Sequence, residues 1–278
     1  MFATRLATAA ILLPLFVAAL LFLPNRYWVA FLLAGLLIAS QEWAALAGYR
    51  RRGRWFFGGA LLLCGLGLVY VSEHAAIPAV QSGRPQIFVY WLSVAFWLLL
   101  APAWLAGKWR VPNSLIMGIT GWVVLLPTWV ALAGLQTEPS RLLVLLGVVW
   151  VADSAAYLVG RHFGRRRLAP AISPGKTWEG LVGACVAVAV YYAALWFIFA
   201  PQQPLLDGLG GMGVFAVITV MSVEGDLFES WMKRQAGVKD SGRLLPGHGG
   251  VLDRIDGLTA SMPLAALWLH YFGSPGPV

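Results

Sequence analysis

The residues best suited to chemistry are concentrated in one polar stretch, from Asp226 to Asp256, of an otherwise apolar chain. At helical spacing Asp226, Ser230 and Lys233 share one face of a helix, with Glu229 beside them. A carboxylate, a hydroxyl and an ammonium in one line can bind a cation together with the phosphate that the cation neutralises. The spacing therefore predicts a site for a phosphorylated ligand and its metal ion.

A glycine-rich loop and the start of another helix follow. The loop covers residues 239–250, and we call it the glycine loop; its glycines let backbone N–H groups approach a ligand closely. Behind it Asp253 and Asp256 lie next to each other on the first turn of a helix. Oxygen ligands of this kind, without a Cys or His cluster, predict Mg²⁺ rather than zinc. The alternatives are that these acids only complement the helix dipole and that His248 is an ordinary loop residue.

An acidic residue inside the membrane extends this prediction upstream. Asp153 lies eight residues before Arg161 on an apolar run. At the helical rise this spacing puts the carboxylate about 12 Å inside the membrane interface. Carboxylates at that depth are costly and usually functional. A helix–helix hydrogen bond to Ser154 or Tyr157 is the structural alternative.

A short turn forms the other upstream feature. The segment from Ser173 to Glu179 contains Gly-Lys-Thr, but Pro170 stands where a nucleotide-binding phosphate loop requires Gly. What remains is a Pro-Gly turn that presents Lys176 and Thr177 near a helix start, where free N–H groups favour an anion. The alternative is a plain turn whose lysine reaches toward the membrane surface.

The elements that must position these residues are membrane helices. Of the 278 residues, 59% are hydrophobic and 12% are charged, whereas soluble domains carry about 25% charged residues. The apolar runs are unbroken, which favours helices over a barrel. We predict an all-α, polytopic transmembrane helix bundle of about nine helices, near residues 6–23, 27–47, 55–72, 87–106, 114–135, 141–160, 179–200, 209–223 and 257–272.

The basic residues predict the orientation of the bundle. With a cytoplasmic N-terminus, all but three of the 20 Lys and Arg residues fall on the cytoplasmic side, the exceptions being Arg26, Arg84 and Arg141. Anionic headgroups then explain the net charge of +8, and we expect no nucleic-acid partner. We treat residues 1–278 as a single membrane domain. Its helices within 1–135 would form a scaffold or hold lipid, and residues 141–272 would supply the catalytic helices and cytoplasmic loops.

The polar stretch contains the pattern Ser230-x-x-Lys233-Arg234-x4-Lys239-Asp240-x-Gly242-x2-Leu245-Pro246-x-His248-Gly249-Gly250-x2-Asp253-Arg254-x-Asp256. This pattern resembles, without departure, the motif of phosphatidate cytidylyltransferases, also called CDP-diacylglycerol synthases. Residues 153–164 and 173–179 are also similar to that family. The resemblance therefore covers the second half of the chain in detail, while the first half is similar only as apolar membrane helices.

The resemblance implies an enzyme, a nucleotidyltransferase of phospholipid biosynthesis that converts CTP and phosphatidate to CDP-diacylglycerol and pyrophosphate. It implies Mg²⁺, often with a monovalent cation such as K⁺, and membrane lipids as partners; a homodimer is left open. The implied location is a bacterial inner membrane, with the active site facing the cytoplasm. The catalytic residues would be Asp226, Asp253, Lys233, Arg234 and Lys239, and the metal ligands would be Asp226, Asp253 and Asp256. The substrate-binding residues would be Asp153, Ser173, Lys176, Thr177, Ser230, Asp240, His248, Gly249, Gly250, Arg254 and Asp256.

Two other functions fit the sequence less well. Asp256-Gly257-x2-Ala260 begins like the motif of CDP-alcohol phosphotransferases, but Ser261 stands where that motif has Arg, and no acidic residue follows Asp256. A membrane transporter of an organic anion would place its site near the bilayer midplane between repeated halves. In this chain the polar residues crowd one interface and no repeat is visible.

Overall fold

The computed structural model describes residues 2–74, 84–199, 204–206, 208–244 and 249–273, so the predicted site residue His248 lies outside the described residues. Within them the chain is almost entirely helical, which confirms the predicted all-α membrane bundle. The helices are α1 (Phe2–Phe22), α2 (Asn25–Leu46), α3 (Arg51–His74), α4 (Arg84–Ala95), α5 (Ala101–Gly107), α6 (Ser114–Leu135), α7 (Pro139–Phe163), α8 (Trp178–Phe199), α9 (Gly208–Gln235) and α10 (Leu252–Phe272). A π-helical turn, Phe96–Leu100, joins α4 to α5, and a 3-10 turn, Pro204–Leu206, precedes α9.

Seven segments of the described chain are long and apolar enough to cross a membrane. They are Asn25–Leu46, Arg51–Tyr70, Pro85–Gly107, Ser114–Leu135, Pro139–Phe163, Trp178–Phe199 and Gly208–Gln235. The two other predicted spans are helical but fall outside this group. The apolar part found in α1, Ala10–Phe22, is shorter, and α10 carries several polar side chains along its length.

The segment before α8 forms a small hairpin that the sequence analysis did not predict. Strands β1 (Arg167–Ala169) and β2 (Ser173–Thr177) pair antiparallel, with Arg167 opposite Thr177 and Ala169 opposite Ser173. The predicted Pro-Gly turn is therefore part of a strand. Because β2 runs directly into α8, the hairpin fixes the direction in which that helix begins.

Helix α6 lies at the centre of the bundle. In its most apolar 18-residue window 72% of the residues are buried, against 50% or less in the other six spans. Buried tryptophans fasten α2 to it: Trp28 Nε1 donates to the carbonyl oxygen of Leu132 at 3.0 Å, and Trp43 Nε1 donates to that of Met117 at 2.8 Å. A membrane interior offers no water to satisfy an indole N–H, so these bonds select one packing of α2 on α6.

Polar side chains mark the two ends of the bundle. At one end Asn25 Nδ2 donates to Gln136 Oε1 at 2.8 Å, and Gln136 Nε2 donates to the carbonyl oxygen of Leu23 at 2.9 Å. At the other end Trp231 Nε1 donates to the carbonyl oxygen of Trp109 at 2.9 Å. The start of α2 thus meets the end of α6, and the segment before α6 meets the end of α9, as alternating span directions require. Which end faces the cytoplasm stays a prediction.

Candidate active site

The site forms where α9 and α10 cross. Gly225 of α9 packs so tightly that a Cβ at this position would collide with the carbonyl oxygen of Asp256. On the facing helix a Cβ at Gly257 would lie 3.3 Å from Ser222 Cβ. Small residues allow the two backbones to approach in this way. As a result Asp226, the neighbour of Gly225, lies beside the first turns of α10.

A second close contact, between α7 and α8, supports the hairpin. A Cβ on Gly180 would come within 3.4 Å of Gly160 Cα, so the two helices approach closely at this point. Thr177 Oγ1 accepts the N–H of Gly180 at 3.1 Å and caps the start of α8. The carboxylate of Glu179 accepts the N–H of Arg165 at 3.0 Å. These bonds hold the hairpin against the end of α7.

A cavity of about 760 Å³ opens between α7, the hairpin, α9, the glycine loop and α10. With Gly180 and Leu181 of α8, residues from six separate elements meet in one place, although they span more than a hundred positions of the sequence. Thirteen residues predicted from the sequence line it: Asp153, Ser173, Lys176, Thr177, Asp226, Ser230, Lys233, Arg234, Lys239, Asp240, Asp253, Arg254 and Asp256. The predicted residues Gly249 and Gly250 are not among the lining residues and lie behind them in the glycine loop.

The intramembrane acid of α7 faces this cavity. Tyr157, one of the two alternative hydrogen-bond partners of Asp153, accepts a hydrogen bond from Arg161 Nη1 at 3.2 Å. Arg161 and Arg167 also line the cavity. In the sequence both arginines indicate only the orientation of the bundle, because no local pattern sets them apart from other basic residues beside a membrane helix.

The ammonium group of Lys176 reaches from β2 to α9. Its Nζ lies 2.7 Å from Asp226 Oδ2 and donates to the carbonyl oxygen of Val223 at 3.2 Å. Ser230 Oγ donates to the other carboxylate oxygen, Asp226 Oδ1, at 3.3 Å. The predicted anion-binding lysine is therefore part of the same cluster as the predicted metal-binding aspartate.

Lys233 occupies the most buried ion pair of the site. Its Nζ donates to Glu229 Oε2 at 2.7 Å and to Asp253 Oδ1 at 2.6 Å. Lys233 lines the cavity together with Asp226 and Ser230, as their helical spacing predicts. Its charge, however, is directed to Glu229 and Asp253 rather than to Asp226. The pair with Asp253 links α9 to α10, whereas the pair with Glu229 lies within α9.

Asp253 is held by groups on both sides of the glycine loop. Its Oδ2 accepts the N–H of Gly250 at 2.8 Å, and the N–H and Oγ–H of Ser241 at 2.9 Å each. Asp253 precedes the apolar part of α10. Burial opposes its ionisation, but the hydrogen bonds from Lys233 and from the N–H groups outweigh burial, so the pKa of the Asp253 carboxyl is below its ordinary value.

A carboxylate of α2 completes the surroundings of the loop. Glu42 accepts the N–H of Leu252 at 2.8 Å and that of Val251 at 3.1 Å. The partners are more than 200 residues apart in sequence. No local pattern could therefore have connected them.

The chemical type of the carboxylate ligands suits a hard cation. Asp226, Asp253 and Asp256 all line the cavity and supply the oxygen ligands that Mg²⁺ prefers. Among the described residues, however, no three His, Cys, Asp or Glu side chains are grouped as a ready metal site. The ammonium groups of Lys176 and Lys233 lie against two of the three carboxylates. A divalent ion at those carboxylates would share or replace these contacts.

The arrangement combines fixed cations, hard-oxygen acids and a membrane setting. Such a site can bind a polyanion, with or without a divalent ion, at the boundary between lipid and water. It contains the elements that transfer of a phosphorus-containing group needs, which are positioning and charge neutralisation.

Comparison with known proteins gives a family. A model described as the cytidylyltransferase family matches residues 3–272. A phosphatidate cytidylyltransferase of Pseudomonas aeruginosa is 35% identical over 282 residues, covering 98% of this chain and 98% of the relative. Proteins with the same name from Haemophilus influenzae and Brucella suis are 33% and 36% identical, covering 96% and 86% of this chain and 98% and 83% of their own lengths. The chain therefore belongs to the cytidylyltransferase family.

Proposed function

We propose that this protein is a phosphatidate cytidylyltransferase, which converts CTP and phosphatidate to CDP-diacylglycerol and pyrophosphate. The observation that carries the proposal is the cavity between α7, β2, α9 and α10, where thirteen predicted site residues meet. The names of relatives that match nearly the whole chain support it. The seven apolar spans are the setting that a lipid substrate needs.

The reaction is a phosphoryl-type substitution at the α-phosphorus of CTP. An oxygen of the phosphatidate phosphate forms the new P–O bond, the bond between the α-phosphorus and the bridging oxygen breaks, and its electron pair leaves with pyrophosphate. The phosphate monoester is already ionised at neutral pH, so no general base is needed. His248 accordingly serves binding rather than proton transfer. The task of the protein is to align two polyanions and neutralise their charge.

The basic side chains that line the cavity differ in their roles. Lys239 and Arg254 are exposed, which suits them to contact phosphates directly. Lys176 and Lys233 already pair with aspartates, so they hold the acidic side chains in position. Arg234, anchored by its Nε to the carbonyl oxygen of Ile172 at 3.3 Å, contributes charge between the hairpin and α9.

Magnesium is part of the proposal. Asp226, Asp253 and Asp256 are the residues that would hold it, because their oxygens line the cavity. The bound ion would add positive charge where pyrophosphate departs. A monovalent cation such as K⁺ would add to this charge.

The lipid substrate would approach along the helices. Ala156, Gly160 and Leu181 line the cavity between α7 and α8, and their apolar surface suits the acyl chains of phosphatidate. The phosphate would then enter the cavity, where the exposed Lys239 and Arg254 can contact it. Because CTP is a cytosolic nucleotide and basic loops favour the cytoplasmic side, we place the site at the cytoplasmic face of a bacterial inner membrane.

Purified protein given CTP, phosphatidate and Mg²⁺ tests the proposal. We expect release of pyrophosphate and a CTP-dependent lipid product. Asp226→Asn should lower turnover by about 10² or more, as removal of a charge-stabilising group commonly does. Glu138→Gln is the matched control, because Glu138 pairs with Arg141 at the start of α7. Failure of the wild-type protein under varied cation conditions would contradict the proposal, and flux of an organic anion into proteoliposomes without CTP consumption would favour a transporter.

A further inference from the structure

The first turn of α10 has no cap of its own. Val251 stands at the N-cap position and its side chain cannot accept a hydrogen bond. The first N–H groups of a helix lack acceptors within the helix, and buried ones need a partner. Glu42, which is 9% exposed, supplies both carboxylate oxygens to Val251 and Leu252. A helix far away in sequence therefore caps the helix that carries Asp253.

The same carboxylate also contacts both ends of the glycine loop. Ser241 Oγ lies 3.1 Å from Glu42 Oε2. A Cβ at Gly242 or at Gly250 would collide with Glu42 Oε1, so a side chain at either position would have to displace the carboxylate. Glu42 thus lies between the two ends of the glycine loop.

Ser241 connects Glu42 to the cavity. Its hydroxyl oxygen lies 2.9 Å from Asp253 Oδ2 as well as 3.1 Å from Glu42 Oε2. A serine hydroxyl has one hydrogen, so the two carboxylates share one donor. Asp253 in turn binds Lys233. The contacts therefore form a continuous series from α2 to the cavity.

From these contacts we propose that Glu42 is a positioning residue, which fixes the ends of the glycine loop and the first turn of α10 so that Asp253, Lys239 and Asp240 face the cavity together. The proposal rests on the proposed function where it concerns turnover. Glu42 lines no part of the cavity and acts through Ser241 and the helix start. A misplacement of about 1 Å can lower a rate by about 10²-fold, so loss of this anchor affects chemistry without removing a reacting group.

Glu42→Gln is the direct test, with Glu138→Gln as the matched acid-to-amide control. The amide keeps the size of the side chain but presents an N–H where an oxygen accepted one. We expect turnover to fall by about 10- to 100-fold, as for misplaced catalytic groups. Backbone amide hydrogen exchange in residues 241–244 and 249–252 should become about tenfold faster, as expected for a lost cap, with exchange in α6 unchanged. Glu138→Gln should match the wild-type protein in both measurements.

Two results would overturn the proposal. In the first, amide hydrogen exchange at the loop ends of Glu42→Gln is as slow as in the wild-type protein, whatever the turnover of the variant. In the second, exchange is accelerated but turnover equals that of the wild-type protein. If exchange in α6 also becomes faster in Glu42→Gln, Gly242→Ala is the deciding variant, because its Cβ displaces the carboxylate without removing it. Faster exchange confined to the loop ends in Gly242→Ala supports the proposal. Exchange at the wild-type rate refutes it. Exchange needs no turnover, so an inactive wild-type protein would contradict the proposed function while exchange still decides the anchoring.

Discussion

Replacing Lys233 with methionine should destabilise the protein strongly, because it leaves two acids facing each other without a cation. The side chains involved are only 12% exposed at Lys233, 4% at Glu229 and 7% at Asp253. Methionine preserves most of the apolar length of the lysine side chain. The substitution therefore removes mainly the charge and the two hydrogen bonds.

The distances give the size of the effect. At the observed separations of 2.7 Å and 2.6 Å, each ion pair is worth about 6 kcal/mol of Coulomb energy at an effective dielectric constant of about 20. Desolvation of the three groups offsets most of this attraction. Measurements on other buried pairs place the net cost of removing one partner at about 3–5 kcal/mol. At about 2–4 °C per kcal/mol, the melting temperature should fall by roughly 10 °C.

Thermal unfolding in detergent micelles measures this fall, with Lys239→Met as the control. Lys239 lies in the same cavity but is exposed, so its replacement should change stability by less than about 0.5 kcal/mol. Adding Glu229→Gln to Lys233→Met removes one of the two facing charges and should recover roughly half of the loss in stability, though not the activity. A Lys233→Met protein that melts within error of the wild type, or an equal fall in Lys239→Met, would show that the reasoning is wrong.

Three further outcomes are expected. Gly225→Ala should cost about 1–3 kcal/mol of stability and lower turnover because its Cβ collides with α10, whereas Gly213→Ala in the same helix meets nothing within 4 Å and should be neutral in thermal unfolding. Lys176→Met should lower CTP turnover but change stability by less than about 1 kcal/mol, because its ion pair is partly exposed. Asp253 has a lowered pKa, so its stabilising contribution is complete at neutral pH and is lost as pH falls below about 4; the difference in melting temperature between wild type and Asp253→Asn should shrink over that range, and a constant difference would contradict it.

Much of the site could be predicted because its residues lie close together in sequence. Asp226, Ser230 and Lys233 are related by helical spacing, and all three line the cavity. The stretch from Ser173 to Thr177 was also assigned to the site, although it forms a strand rather than a turn. Local spacing is enough for such assignments because a helix or a tight turn fixes which neighbours share a face.

The remaining features depend on contacts between distant segments. The cap that Glu42 provides to α10 joins positions more than 200 residues apart. The π-helical turn Phe96–Leu100 interrupts an apolar run just before Pro102, a residue that indicates a break but not the form that the break takes. From helical spacing alone, Lys233 could pair with any of several acids. Its pairing with Asp253 follows only from the approach of α10 to α9. Packing decides each of these points, and periodicity carries no information about it.

The crossing at Gly225 has a consequence for how the site can vary between related proteins. Backbone atoms, rather than side chains, set the separation of α9 and α10 at this point. The backbone contact therefore sets the distance between Asp226 and Asp256. Side-chain substitutions elsewhere cannot change this distance. The lipid-facing surfaces of both helices are free to adapt to membranes of different thickness or composition, while the distance between the two acids stays the same.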